Sequence, residues 1–341
     1  MRNILLGLLL STCLLAGPGA VKKKDKAEKS GEEITSNTPT LLWREPTDIV
    51  YRDLYFGPGG GAHQPRGPFT FIKEDMDGTN PKFSVRDRDG MKWKVKLGTE
   101  AKPETVATRL VWAVGYFANE DYFLPEFRVD DMPRLRRRGA NHFIEPDGTM
   151  RNVRLKREPD DEKKIGTWRW RDDPFYSSRE WNGLRVMMAL INNWDLKDEN
   201  NSVYEETENG QHEQIYMVSD LGASFGTAWY DLPHAKSKGN LDWYQRSKFI
   251  RRINADSIDF EDPRRPALII LFDLPEFLRR LGIRWIGHDI PREDAKWMGG
   301  LLSKLSDGQI RDAFRAAGYS PEEIDGFTEV VESRIAQLNQ L

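Results

Sequence analysis

The chain has 341 residues, 38% of them hydrophobic and 11% aromatic, which suits a folded protein with a sizeable core and excludes a wholly disordered one. A formal net charge of −3 gives no overall attraction to nucleic acid, so no nucleic-acid partner is expected. Cys13 is the sole cysteine, which excludes an internal disulfide and a multi-thiolate metal site; five scattered histidines without H-E-x-x-H spacing argue against a histidine metal centre.

Residues 1–20 read as an export signal. Arg2 precedes an apolar run from Ile4 to Ala16, and small residues continue to Ala20, where cleavage is expected. The run is too short to span a bilayer comfortably. Leu10-Ser11-Thr12-Cys13 resembles a bacterial lipobox, so a lipid tether through Cys13 is the alternative to cleavage. Either way the expected location is exported, periplasmic or extracellular. Residues 21–45 are charged and polar and read as a disordered tether.

From residue 69 the pattern is β. Phe69–Glu74, Lys82–Arg86 and Met91–Leu97 are short strand-like runs separated by Asp/Gly/Asn-rich turns, which predicts a three-stranded meander. Pro103-Glu104 opens a helix with Val106, Leu110, Val114 and Phe117 on one face. Arg151–Lys156 carries further β signal. Beyond residue 175 the chain is expected to turn helical: Trp181, Leu184, Met188 and Ile191 share a stripe, and helices are predicted at 265–281, 293–305, 307–317 and 321–341. The expected fold class is α+β and bilobal, with a β-rich N-lobe over 46–158 and a mostly helical C-lobe over 159–341 flanking a cleft.

Four local patterns carry candidate chemistry. Asp195 and Asn200 are five residues apart in a polar loop after an amphipathic helix; in phosphoryl transfer an Asp orients or deprotonates the attacking hydroxyl, and a nearby Asn binds metal without adding charge. Asp220 ends an apolar strand and is followed by Leu221-Gly222, which lets a carboxylate reach a cleft and hold Mg2+ or Mn2+. Lys92, Lys94 and Lys96 share one face of the third strand, a pattern that usually marks a solvated edge. Lys96 is singled out because Glu104 follows eight residues later on the helix, the pairing that aims an ammonium at nucleotide phosphates; Glu100 is the rival partner. Gly78, Thr79, Asn80 and Lys82 form a turn whose backbone N–H groups can cradle phosphate. Arg134–Arg138 reads as a solvated basic turn, and Trp168-Arg169-Trp170-Arg171 as a packing surface.

Asp195-Leu196-Lys197-Asp198-Glu199-Asn200 resembles the D-L-K-x-x-N catalytic loop of protein kinases, and Asp220-Leu221-Gly222 their D-F-G. Gly78–Phe83, Trp93–Leu97 and Glu104–Gly115 look like the atypical branch, which holds HipA-like, phosphatidylinositol and secretory-pathway kinases. The resemblance spans roughly residues 70–225. It implies ATP with Mg2+ or Mn2+ as cofactors, Lys96 on the phosphates, Glu104 holding Lys96, Asp195 as catalytic base, and Asn200 with Asp220 on metal. The sequence departs from the common pattern in having no G-x-G-x-x-G loop, no A-P-E segment, and Asn193-Trp194 where H-R is usual. The implied activity is phosphate transfer to a protein, lipid or other hydroxyl. AMP transfer on the same site and a catalytically inactive binding module are the alternatives.

Overall fold

The computed structural model describes residues 38–341 except 79, 161, 209–210, 228–237, 262–277 and 279–280. The export signal, Cys13, Thr79 and most of the helix predicted at 265–281 lie outside the described residues. From residue 38 onward the chain forms one compact unit of mixed α+β architecture, with its largest sheet in the first half and most helices in the second.

The first strand, β1 (Thr40–Leu41), pairs in parallel with a strand far along the chain, and Trp43 donates through Nε1 to the Val114 carbonyl at 2.7 Å. The tether expected over 21–45 therefore does not include Thr40–Trp43: apolar Leu41, Leu42 and Trp43 give this end of it a docking face. The meander follows as expected, with β2 (Thr70–Asp75), β3 (Lys82–Arg86) and β4 (Lys92–Lys96) paired antiparallel. Helix α1 (Ala101–Ala113) begins two residues before the predicted Pro103, which instead sits inside the first turn, where its missing N–H costs nothing. Strands β5 (Asp121–Arg128) and β6 (Thr149–Arg157) complete a five-stranded sheet in the order β2-β3-β4-β6-β5.

One face of this sheet is a core. Phe83, Val85, Trp93, Val95, Val153 and Leu155 are almost completely buried there. Period-two alternation sends their neighbours Lys82, Lys92, Lys94, Lys96, Arg154 and Lys156 to the other face.

The second half is less purely helical than its sequence suggests. Short β7 (Lys163–Gly166) joins a long hairpin, β8 (Asn201–Glu208) and β9 (Gln211–Val218), which also holds β1. A second small sheet combines β10 (Ile250–Ile253), β11 (Ser257–Phe260) and β12 (Ile290–Pro291). Charge conceals β8, because Glu205, Glu206 and Glu208 follow Val203 and Tyr204 directly and leave no apolar alternation to read. Helices α2 (Arg179–Leu190), α3 (Leu241–Arg246), α4 (Arg292–Leu302), α5 (Asp307–Ala316) and α6 (Pro321–Asn339) pack around Phe225, Phe314 and Phe327. Their starts are written locally: Ser178 caps α2, and Ser306/Gln309 and Ser320/Glu323 form capping boxes on α5 and α6.

Candidate active site

Lys96 is the last residue of β4, and its side chain is 4% exposed. An ammonium so deeply buried needs compensating charge. Three carboxylates supply it: Glu100 Oε2 at 2.7 Å, Glu104 Oε2 at 2.9 Å and Asp220 Oδ1 at 3.2 Å from Nζ. The Glu104 partnership is present as expected, and Glu100 is a second partner rather than a rival. Glu100 precedes the first turn of α1 and Glu104 lies within it, so one helical turn aims both carboxylates at the same point.

The cluster extends to Arg154, which stands opposite Lys96 on β6. Its guanidinium lies 2.8 Å from Glu104 Oε1 and 2.9 Å from Asp121 Oδ1 on β5. Glu104 is thus held from both sides by cations. At the other end Lys238 pairs with the remaining oxygen of Glu100. Arg154, Asp121 and Lys238 have no place in the sequence reading; only the alternation of Arg154 with Val153 and Leu155 hinted at its direction.

Burial opposes the charge of Lys96, but Glu104, Asp220 and Glu100 outweigh it and hold the ammonium above its ordinary pKa. Burial likewise acts against ionised Glu100, and Lys96 with Lys238 overcomes it, holding that carboxyl well below the usual range. Glu104 lies deepest: burial pushes it up to about 6 against the pull of Arg154 and Lys96. Asp220 is also penalised by burial, yet Lys96 keeps its carboxyl below the ordinary value.

Asp220 follows β9 and remains half-exposed to the cleft. Its Oδ1 also accepts from the Gly222 N–H at 3.3 Å. Gly222 has a packing reason to be glycine, since a Cβ there would sit 2.8 Å from Glu100 Cβ and 2.9 Å from Glu100 Oε2. No hydrogen bond engages Asp220 Oδ2 among the described residues, which leaves a hard oxygen donor on the cleft side.

The Asp195–Asn200 loop follows α2 and is closed by its own hydrogen bonds. Asn200 Nδ2 donates to the Asp195 carbonyl at 2.6 Å, and the Asp195 N–H donates to Asn193 Oδ1 at 2.9 Å. The loop is joined to the Asp220 segment through backbone: Ser219 N donates to Asn200 O at 2.8 Å, Asp220 N to the same oxygen at 3.3 Å, and Trp194 N to Ala223 O at 3.3 Å. Asn200 and Asp220 are therefore neighbours. No hydrogen bond or ion pair joins the Asp195 carboxylate to the Lys96 cluster among the described residues; it pairs with Lys197 at 2.8 Å, both side chains about a quarter exposed.

In the Gly78 turn, the Lys82 ammonium lies beside Gly78, 3.4 Å from where a Cβ would stand, and Lys82 pairs with Lys96 in register. Asn80 approaches Gly98 instead. Within the basic stretch Arg134, Arg136 and Arg138 are exposed, as expected of a solvated turn, while Arg137 donates to the carbonyls of Gly78 at 2.8 Å and Asp77 at 3.0 Å and so anchors the Gly78 turn. Trp168 and Trp170 are buried with ring centroids 4.8 Å apart, the packing role expected of them.

Glu100, Glu104 and Asp220 bring one oxygen each within 4.8 Å of one another, but Lys96 fills the space a cation would need between them. The donors that suit Mg2+ or Mn2+ are the Oδ2 of Asp220 and the Oδ1 of Asn200, which has no hydrogen bond among the described residues.

No protein-family model and no curated protein matches the chain. Among solved structures, the proinflammatory kinase CtkA of Helicobacter pylori aligns over 80% of this chain and 95% of its own at 10% identity, with a TM-score of 0.43. The Rio2 kinase–ADP/Mg2+-phosphoaspartate complex of Chaetomium thermophilum aligns over 78% and 72%, also at 10% identity, with a TM-score of 0.31.

Proposed function

We propose that the cleft is the site of an ATP- and divalent-metal-dependent phosphotransferase of atypical kinase type. The observation that carries this reading is the buried Lys96–Glu104 pair meeting Asp220, with Asn200 held against Asp220 by backbone hydrogen bonds. Kinase-type phosphoryl transfer uses these four residue types in this chain order.

In this reading Lys96 binds phosphate oxygens, while Glu104 and Arg154 keep its stem aimed at the cleft. The ammonium has three donors, so the contact with half-exposed Asp220 is the one a phosphate oxygen would displace. Asp220 and Asn200 would hold Mg2+ or Mn2+, which when bound neutralises charge on the transferring group. Asp195 accepts the proton of the acceptor hydroxyl as its oxygen attacks, and Lys197 orients that carboxylate. Gly78, Asn80 and Lys82 form the outer phosphate contacts. The acceptor is a protein, lipid or other hydroxyl compound. Residues 1–20 would direct the chain out of the cytoplasm, either by cleavage after Ala20 or with Cys13 as a point of lipid attachment, so the ATP supply is a matter of the compartment reached.

Transfer of label from ATP tests the assignment. Label from the γ position, abolished in Asp195→Asn while ATP binding is kept, supports the kinase. Label from the α position assigns AMP transfer to the same residues. Transfer from neither leaves a binding module, and an Asp195→Asn protein with full activity contradicts the role given to Asp195.

A further inference from the structure

The cleft continues past the Lys96 cluster toward Glu158, Pro159, Asp160 and Glu162, which follow β6, as a cavity of about 540 Å³. At that far end the wall is Lys94 on β4, Lys156 on β6, Lys164 on β7 and Tyr204 on β8. A purine ring is usually gripped between apolar or aromatic surfaces. Here the uncharged lining is confined to Pro159, Ser202, Ser219 and Tyr204 among the described residues, and the Lys156 ammonium already lies 5.5 Å from the Tyr204 ring centroid.

The cations at this end are unequally neutralised. Lys92 pairs with Glu158 at 2.8 Å, and Lys94 pairs with both Asp75 at 3.0 Å and Glu158 at 3.6 Å. Lys156 has a neutral partner, the Tyr204 hydroxyl at 3.2 Å, and neither Lys156 nor Lys164 has an ion pair within 4 Å among the described residues. Lys164 is an exposed residue, yet partial burial of its ammonium, then repulsion from Lys156 and Lys94, lowers its pKa. The remaining wall acids are Asp160 and Glu162, and burial pushes Glu162 up to about 7, which reduces its charge at neutral pH. Glu162 and Glu158 support the charge of Lys156 from beyond contact distance, so Lys156 and Lys164 keep N–H donors that an anion placed between them would take up.

We propose that Lys156, Lys164 and the Tyr204 hydroxyl form a second anion subsite, so that the cleft takes a small ligand carrying phosphate at both ends. The assignment of the first phosphate to the Lys96 end rests on the phosphotransferase reading; the second subsite does not. A phosphate here would receive hydrogen bonds from Lys156 and Lys164 and from Tyr204, whose hydroxyl can donate while Lys156 donates to it.

Calorimetric titration with inositol hexakisphosphate and, separately, Mg·ATP tests this on the full chain. The hexakisphosphate is expected to bind at least ten-fold more tightly than ATP. Lys156→Gln/Lys164→Gln should weaken it at least ten-fold and leave ATP within two-fold. The single variant Lys164→Gln, at an exposed position, should weaken it about three-fold and covers the case in which the double variant fails to fold. Lys163→Gln, one residue away on the opposite strand face, should change nothing. Unchanged hexakisphosphate binding in Lys164→Gln overturns the subsite, as does an equal loss in Lys163→Gln, which would mean diffuse attraction. Loss of ATP binding in the Lys164→Gln or double variant also overturns it, because the base would then occupy this end. A protein that transfers no label yet gives the expected hexakisphosphate series keeps the subsite and loses the phosphotransferase reading.

Discussion

Lys96 and Asp195 are the two residues on which the proposed chemistry turns, and they are held in opposite ways. Lys96 is surrounded by carboxylates from α1 and the β9 terminus, backed by Arg154 and Asp121. Asp195 is a quarter exposed, and its only side-chain partner among the described residues is Lys197, two residues away. The first is fixed by long-range, dehydrated charge; the second by a short loop that could be reshaped at small cost. A phosphate-binding point gains from rigidity, whereas a proton acceptor must admit an incoming hydroxyl.

That contrast can be broken from the rigid side first. Lys96→Ala leaves Glu100 and Glu104 buried with reduced compensation, and a loss of about 3–5 kcal/mol in denaturant unfolding is expected, as for other broken buried pairs. Asp195→Asn should lower label transfer by about 100-fold or more with little change in the unfolding midpoint, because the site loses its proton acceptor and not its packing. Gly222→Ala drives a methyl into Glu100 and should cost about 1–3 kcal/mol, read by the same unfolding measurement. Lys197→Ala removes a partly exposed pair and should change stability by less than about 1 kcal/mol.

Acidity sharpens the same comparison. Glu100 has a folded pKa held below its ordinary 4.5, so its pairing contributes stability above that value and loses it as pH falls further. Wild type should therefore destabilise below about pH 4.5, and Glu100→Gln should flatten that limb in urea titrations at successive pH values. An unchanged acid limb would remove Glu100 from the cluster.

The order Lys96, Glu104, Asp195, Asn200, Asp220 is visible in the sequence because each lies at the end of a recognisable strand or helix or in the polar loop that follows α2. The choice between Glu100 and Glu104 was not visible, since both fall on one helical turn and only the position of Lys96 shows that both reach it. Arg154, Asp121 and Lys238 could not be found because their partners are distant in the chain. The three lysines of β4 illustrate a different limit. Alternation correctly put them on one face, but whether that face meets solvent or lines a cavity depends on β7 and β8, and β8 is masked by its glutamates. The meander and the cap-marked helices α2, α5 and α6 were legible for the opposite reason: their signals are local.

The most direct test of the central claim is a calorimetric titration of Mn·ATP into wild type and Asp220→Ala. The account predicts binding by wild type that requires the divalent ion, and its loss in Asp220→Ala without loss of the folded state. ATP binding of equal strength in both proteins, or binding indifferent to the metal, would contradict the assignment of Lys96, Asn200 and Asp220 to one nucleotide site.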